Sequence, residues 1–226
     1  MKIGGISMKK VLKIISFILV LSLILSTKVF AEDIDHNNED LISVEQGDFK
    51  SMIEQILSIE KEHPDFTVEE VFEVMNIRSK EIRSIGDIWN TLTDSEKKLC
   101  IRYPFDALKV NTAKNIATSQ TELKFGYNGL GDRSDAFRHG IWNAEMTVLI
   151  GKEKAELFAT AHEDKDVTGN ESDGYPKTAH RDMDLHNNEI GRNIGEENSN
   201  DSEDEMANII YQEIYSDTTQ FIWLHD

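Results

Sequence analysis

Apolar residues recur at helical spacing along nearly the whole of this chain, and that periodicity constrains its fold more than any other feature. From residue 49 to residue 215, successive segments place them three and four residues apart, and none alternates apolar with polar residues long enough to predict a half-buried strand. Capping boxes at Thr67 and Thr93 indicate where two helices begin. We therefore predict an all-α single domain over residues 48–226, a bundle of about seven or eight short helices.

Composition limits how this domain is stabilised and what it binds. Cys100 is the only cysteine, so no internal disulfide can form, and its helical context predicts a buried structural thiol. The chain holds 24 Lys and Arg against 42 Asp and Glu, a formal charge of −18. Such acidity opposes non-specific nucleic-acid binding and is compatible with metal ions or a cationic protein partner.

The first 31 residues have the layout of a secretory signal peptide. A lysine-rich stretch up to Lys13 is followed by an apolar segment that runs to Leu25, and Ala31 ends a small-residue cleavage site. The uninterrupted apolar segment is shorter than the roughly 20 residues that span a bilayer, which favours a signal peptide over a membrane anchor. We expect cleavage after Ala31, which gives a secreted, extracellular protein without a transmembrane span. Residues 32–47 are acidic, and we expect them to form a flexible lead-in.

A predicted helix over residues 132–150 carries the most informative polar residues. Its apolar residues fall on two roughly opposite faces, which indicates a buried helix. Asp135, His139 and Asn143 lie on one of these faces, beside Trp142. Buried polar groups cost free energy unless each has a partner, so this stripe requires partners from other helices or from a ligand.

A second predicted helix, over residues 152–163, offers one set of partners. His162 extends the apolar stripe of this helix, and Glu163 follows at its end. The polar segment 164–181 comes next, and we expect it to form a solvated loop that covers the site.

A third predicted helix, over residues 182–194, offers the other set. Asp184 and Asn188 are four residues apart and share a stripe with Gly191. Glycine has no side chain, so Gly191 allows another helix to approach closely. Polar groups from three helices are thereby predicted to converge, which is typical of a functional site.

Three motifs in these helices resemble those of a known family. Residues 135–143 read Asp-Ala-Phe-Arg-His-Gly-Ile-Trp-Asn, residues 161–163 read Ala-His-Glu, and residues 183–192 read Met-Asp-Leu-His-Asn-Asn-Glu-Ile-Gly-Arg. Together they resemble an uncharacterised family of bacterial domains from secreted, wall-associated and polymorphic-toxin-like proteins. The resemblance covers roughly residues 86–195. It implies an all-α domain in an extracellular setting and implies no activity.

The residues themselves favour a hydrolase in which a divalent ion assists the reaction. The resemblance implies that such an enzyme is directed at the cell envelope or is toxin-like. Imidazole and carboxylate groups suit zinc or another divalent cation, with an open position for water. The predicted metal ligands are His139, His162 and Asp184, and the predicted catalytic residues are these three and Glu163. The same hypothesis assigns substrate binding to Arg138, Asn143, Asn188 and Arg192, and a supporting structural role to Asp135, Asn187 and Trp142.

Two other interpretations stay open. In one, His139 acts without a metal as a general base oriented by Asp184 or Asp135, as in phospholipase-like hydrolases, although Gly140 stands where such enzymes usually have an aspartate. In the other, the protein is not an enzyme, and its polar cluster is a hydrogen-bond network that joins helices or supports a partner surface. Neither interpretation identifies a substrate.

Overall fold

The computed structural model describes residues 2–3, 6–7 and 38–226. Near the N terminus, the short strands β1 (Lys2–Ile3) and β2 (Ile6–Ser7) pair antiparallel. Most of the predicted signal peptide, including its cleavage site, and residues 32–37 of the predicted lead-in lie outside the described residues. Export of the protein therefore stays a prediction.

Residues 38–226 form nine helices in one domain, which confirms the predicted all-α fold and adds one helix to the upper predicted number. Their order places the three motif-bearing helices late in the chain. They are α1 (Asn38–Glu62), α2 (Val68–Glu81), α3 (Arg83–Thr91), α4 (Asp94–Arg102), α5 (Pro104–Phe125), α6 (Arg133–Ile150), α7 (Lys152–His162), α8 (Lys177–Glu197) and α9 (Glu203–Ile214).

Two helices begin earlier than the sequence predicts. Helix α1 starts at Asn38, so residues 38–47 are helical where a flexible lead-in is expected. Helix α8 starts at Lys177, directly after Pro176, because proline is well tolerated at the start of a helix. The polar loop is correspondingly shorter.

Helix α6 lies at the centre of the domain and contacts helices α5, α7, α8 and α9. Helix α8 packs against it backbone to backbone: a Cβ atom built on Gly191 would lie 2.2 Å from the Gly140 carbonyl oxygen, and one on Gly195 would lie 2.5 Å from that of Ala144. The close approach predicted from Gly191 is confirmed. It places the polar stripe of α8 directly beside that of α6.

The remaining packing follows the sequence closely. Cys100 is buried in the apolar core, and burial raises the pKa of its thiol, as expected of a structural cysteine. Phe221, in the C-terminal tail, joins the same core. Within the part of the chain that the structure describes, no helix has both the length and the apolar character that crossing a membrane requires.

Candidate metal centre

A chain of hydrogen bonds between α6 and α8 fixes the protonation of His139. Arg192 Nη1 donates to Asn143 Oδ1 at 2.9 Å, and Asn143 Nδ2 donates to Asn188 Oδ1 at 2.6 Å. Asn188 Oδ1 lies 3.1 Å from His139 Nδ1. Because a guanidinium can only donate, it sets the orientation of both amides, and Asn188 must present an oxygen to the imidazole. His139 Nδ1 therefore carries the proton, and Nε2 carries a lone pair.

That lone pair faces two carboxylates. His139 Nε2 is 3.4 Å from Asp184 Oδ1 and 3.5 Å from Asp135 Oδ1, and Asp184 Oδ1 accepts no hydrogen bond from any residue that the structure describes. Asp135 is held on both oxygens, since the Gly131 amide donates to Oδ2 at 2.7 Å and Arg138 donates to Oδ1. Three electron-pair donors thus converge on a space that needs a proton or a cation.

Burial makes the charges of this cluster expensive. Burial lowers the pKa of His139 well below its usual range, and the nearby positive charge of Arg138 lowers it further. Burial also raises the pKa of Asp135, and burial together with the charges of Glu163 and Asp135 raises the pKa of Asp184 to about 8. A bound cation would relieve this penalty by compensating both carboxylates.

The cluster has dimensions that suit a metal ion. One ligand atom from each of Asp135, His139 and Asp184 lies within 4.8 Å of the other two. Tetrahedral ligands about 2.1 Å from zinc lie about 3.4 Å from one another, which matches the two distances from His139 Nε2. Three protein ligands would leave a position open for water, as in catalytic zinc sites.

His162, predicted as a metal ligand, does not join this cluster. Its Nδ1 lies 2.8 Å from Glu96 Oε1, and Lys165 Nζ lies 3.0 Å from its Nε2. Both ring nitrogens are therefore engaged, and Asp135 takes the place expected for His162. His162 instead packs edge to face against Trp142, with ring centroids 5.1 Å apart, at the rim of the site.

Glu163 lies beside the cluster, as its predicted catalytic role requires. Its side chain is 5% exposed, and Oε1 lies 4.0 Å from His139 Nδ1 without a hydrogen-bond partner within residues 38–226. Burial raises the pKa of this carboxyl group. A cavity of about 160 Å³ connects these groups, and the polar loop after α7 contributes to its wall as predicted; its lining includes Asp135, Arg138, His139, Glu163, Lys165, Asp166, Glu171, Arg181 and Asp184.

The structure separates the predicted substrate-binding residues into two groups. Arg138 lines the cavity, and its side chain is 30% exposed. Asn143, Asn188 and Arg192 are buried between α6 and α8, where the glycine-mediated contact brings the two helices together, and they do not line this cavity. Their assignment to substrate binding is corrected to positioning of His139.

Asn187, predicted to support the site, holds the C-terminal tail instead. Its side-chain amide donates to the Ile222 carbonyl oxygen at 2.8 Å and accepts from the Ile222 amide at 3.0 Å. Its neighbour Asn188 faces the site, so adjacent asparagines on α8 serve opposite sides of the helix. The tail then reaches Gly131, whose carbonyl oxygen accepts from the Leu224 amide at 2.7 Å.

Two features of the site were missed by sequence reasoning. Glu96 is the third residue of the helix that the capping box at Thr93 begins, and the sequence predicts no role for it beyond that box, yet it also binds His162. Asp135 was assigned a supporting role, although its position four residues before His139 on one helix face was a signal that both side chains reach one point.

Comparisons with known proteins assign a family to this chain and no activity. A family model described as a domain of unknown function, DUF6973, matches residues 97–218 and so includes every residue of the cluster. Neither the curated proteins nor the solved structures yielded a match.

Proposed function

The chain belongs to the DUF6973 family of domains of unknown function, and we propose that it is a metal-dependent hydrolase. Asp135, His139 and Asp184 hold a divalent cation, zinc being the best fit to one imidazole and two carboxylates. Hydrolysis is the reaction that such a site serves most directly, because the cation is buried, keeps one coordination position free for water and lies beside a carboxyl group.

One observation carries this proposal. The Arg192-to-Asn188 hydrogen-bond chain keeps the His139 Nε2 lone pair directed at Asp135 and Asp184, each within 3.5 Å. Histidine ligands of metals commonly donate their other ring N–H to an oxygen in this way, which sets both tautomer and ring orientation. A helix-joining network alone requires no such convergence of acceptors.

The surrounding residues supply the rest of the chemistry. A divalent ion lowers the pKa of a bound water toward neutrality. Glu163, whose pKa is raised by burial, accepts the proton of the attacking water and later returns it to the leaving group. Arg138 lies at the cavity wall and stabilises negative charge that develops on the substrate.

A metal-free reaction is the second candidate, and the pKa of Asp184 favours it. At a pKa of about 8, Asp184 retains a proton at neutral pH and can donate it toward His139 Nε2. His139 and Asp184 would then act together as the general acid and base. This candidate predicts activity that survives complete removal of metal.

We propose further that the protein works outside the cytoplasm. This rests on the predicted signal peptide of residues 1–31 and is compatible with a cell-envelope substrate. Comparing the N-terminal residue of protein recovered from the medium with the predicted Glu32 tests it.

The test of the main proposal is elemental analysis combined with an assay. Protein is purified without a histidine tag, its metal content is measured, and ester, phosphodiester and peptide substrates are assayed before and after chelation. The proposal expects about one equivalent of metal and activity that returns on adding zinc. Asp182→Asn, an exposed aspartate on the same helix, serves as the control for Asp184→Asn. A folded wild-type protein that binds no metal and retains activity would support the metal-free candidate instead.

A further inference from the structure

A second cavity adjoins the polar one and has the opposite character. It encloses about 270 Å³ between helices α3, α4 and α5 on one side and α6 and α7 on the other. Leu92, Cys100, Val110 and Phe158 are among the apolar side chains of its wall. A concave pocket with a mainly apolar lining and a few polar groups at one end is the usual form of a small-molecule site.

This apolar cavity opens onto the proposed catalytic site. Arg138, His139 and His162 line both cavities, so one ligand can extend from one into the other. The indole of Trp142 forms part of the apolar wall and contacts His139 and His162 edge to face, with ring centroids 6.3 and 5.1 Å apart. The junction is therefore a boundary between an apolar chamber and the reacting groups.

We infer that the substrate is a fatty acyl ester whose hydrocarbon chain occupies the apolar cavity and whose ester group lies at the junction of the two cavities, beside Arg138 and His139. An apolar cavity of about 150 Å³ accommodates benzene, so 270 Å³ has room for a considerably longer chain. This inference rests on the proposed hydrolase function and specifies its substrate class.

The reaction at this junction is ester hydrolysis. The oxygen of water forms a bond to the carbonyl carbon, and the bond between that carbon and the alkoxy oxygen breaks. One proton of the water passes by way of Glu163 to the departing alcohol, and the other is released to solvent as the fatty acid ionises to a carboxylate. No oxidant or reductant takes part.

The experiment measures binding of decanoate, octanoate and acetate to chelator-treated protein by calorimetry. Each methylene buried should tighten binding by up to roughly fourfold until the cavity is filled. Val110→Phe fills the cavity from α5 and should abolish decanoate binding, whereas Thr112→Phe, at an exposed position on the same helix, should bind as the wild type does. Thermal unfolding confirms that both variants fold, and Thr118→Phe, at another cavity-lining position of α5, replaces Val110→Phe if that variant does not.

The outcomes separate this inference from the proposed function. Equal affinities for decanoate, octanoate and acetate would overturn the acyl-chain site, even in a protein with metal-dependent activity. Decanoate binding that persists in Val110→Phe would overturn it as well. Chain-length-dependent binding to a protein that never binds metal would leave the cavity assignment standing and remove the metal centre. Chain-length-dependent kcat/KM toward p-nitrophenyl esters, lost in Val110→Phe, would support both.

Discussion

Asn188 Oδ1 lies 3.1 Å from His139 Nδ1, and this contact joins the structural and the chemical halves of the polar cluster. On its α8 side, Asn188 belongs to a sealed network that ends at Arg192. On its α6 side, it leaves His139 Nε2 as a lone-pair donor between two carboxylates. The hydrogen-bond network that joins the helices and the proposed metal site, which are alternatives on the sequence alone, are thus both present and share Asn188.

Asn188→Leu is predicted to weaken zinc binding by about 10- to 100-fold, the usual cost of losing the hydrogen-bond partner of a metal-binding histidine. It also leaves Asn143 Nδ2 without its acceptor at Asn188, which should lower the free energy of unfolding by about 1–3 kcal/mol. Calorimetric zinc titration and chemical denaturation measure the two effects.

Asn187→Leu is the matched control, because Asn187 is as fully buried but holds the C-terminal tail. It should destabilise the protein and leave zinc affinity unchanged. Equal losses of zinc affinity in the two variants would show that destabilisation alone is responsible and that Asn188 has no specific role.

The contribution of Asp184 to the stability of the metal-free protein is predicted to fall as pH rises from about 4 to about 8. The folded protein holds the Asp184 pKa at about 8, whereas the unfolded value is near 3.8, so the unfolded state releases this proton first and gains relative stability as pH rises. Asp184→Asn should flatten this dependence and raise the free energy of unfolding at pH 7 by on the order of a few kcal/mol.

With saturating zinc, Asp184→Asn should instead lower the free energy of unfolding relative to the wild type. The wild type then gains the free energy of zinc binding, which the variant lacks. Urea denaturation across pH, with and without zinc, measures both. A pH profile that is the same in wild type and Asp184→Asn would contradict the account of the buried carboxylate.

Gly191→Ala is predicted to disturb fold and site together. Its Cβ would lie 2.2 Å from the Gly140 carbonyl oxygen, so α8 must move away from α6, at a cost of about 1–3 kcal/mol. The same movement separates Asp184 from His139 and should weaken zinc binding. Gly47→Ala, in helix α1 with open space around the new methyl group, should instead stabilise by up to about 1 kcal/mol.

Glu163→Gln is predicted to lower kcat by about 10²- to 10⁴-fold, the range for removing a general base, while zinc binding persists. Glu171→Gln, in the wall of the same cavity, should retain activity. Loss of metal in Glu163→Gln would reassign Glu163 as a ligand, and full activity would exclude it as the base.

The sequence predicts those features of the structure that depend on residues close together in the chain, and it fails for those that depend on how distant segments pack. Helical periodicity and the capping boxes at Thr67 and Thr93 are local, and the fold class and both helix starts were predicted from them. Gly191 correctly predicted a close helix contact, since only a neighbouring backbone benefits from a missing side chain. His162 was misassigned because its partners, Glu96 and Lys165, depend on how α4 and the loop after α7 pack.

The positioning roles of Asn143 and Asn188 could not be predicted from the sequence for the same reason. Their facing positions on α6 and α8 were predictable, but whether solvent reaches them depends on the separation of the helices, which sequence spacing does not specify. His139 is protonated on Nδ1 because Arg192, on another turn of α8, orients the two side-chain amides that lie between them. Such a relay is visible only in three dimensions.

The most direct measurement is an anomalous difference map, recorded at the zinc absorption edge from crystals grown with zinc. The account predicts one peak about 2.1 Å from Asp135 Oδ1, His139 Nε2 and Asp184 Oδ1, which disappears in His139→Ala crystals. A map without a peak there, or with the zinc bound at His162 and Glu96 instead, would contradict it.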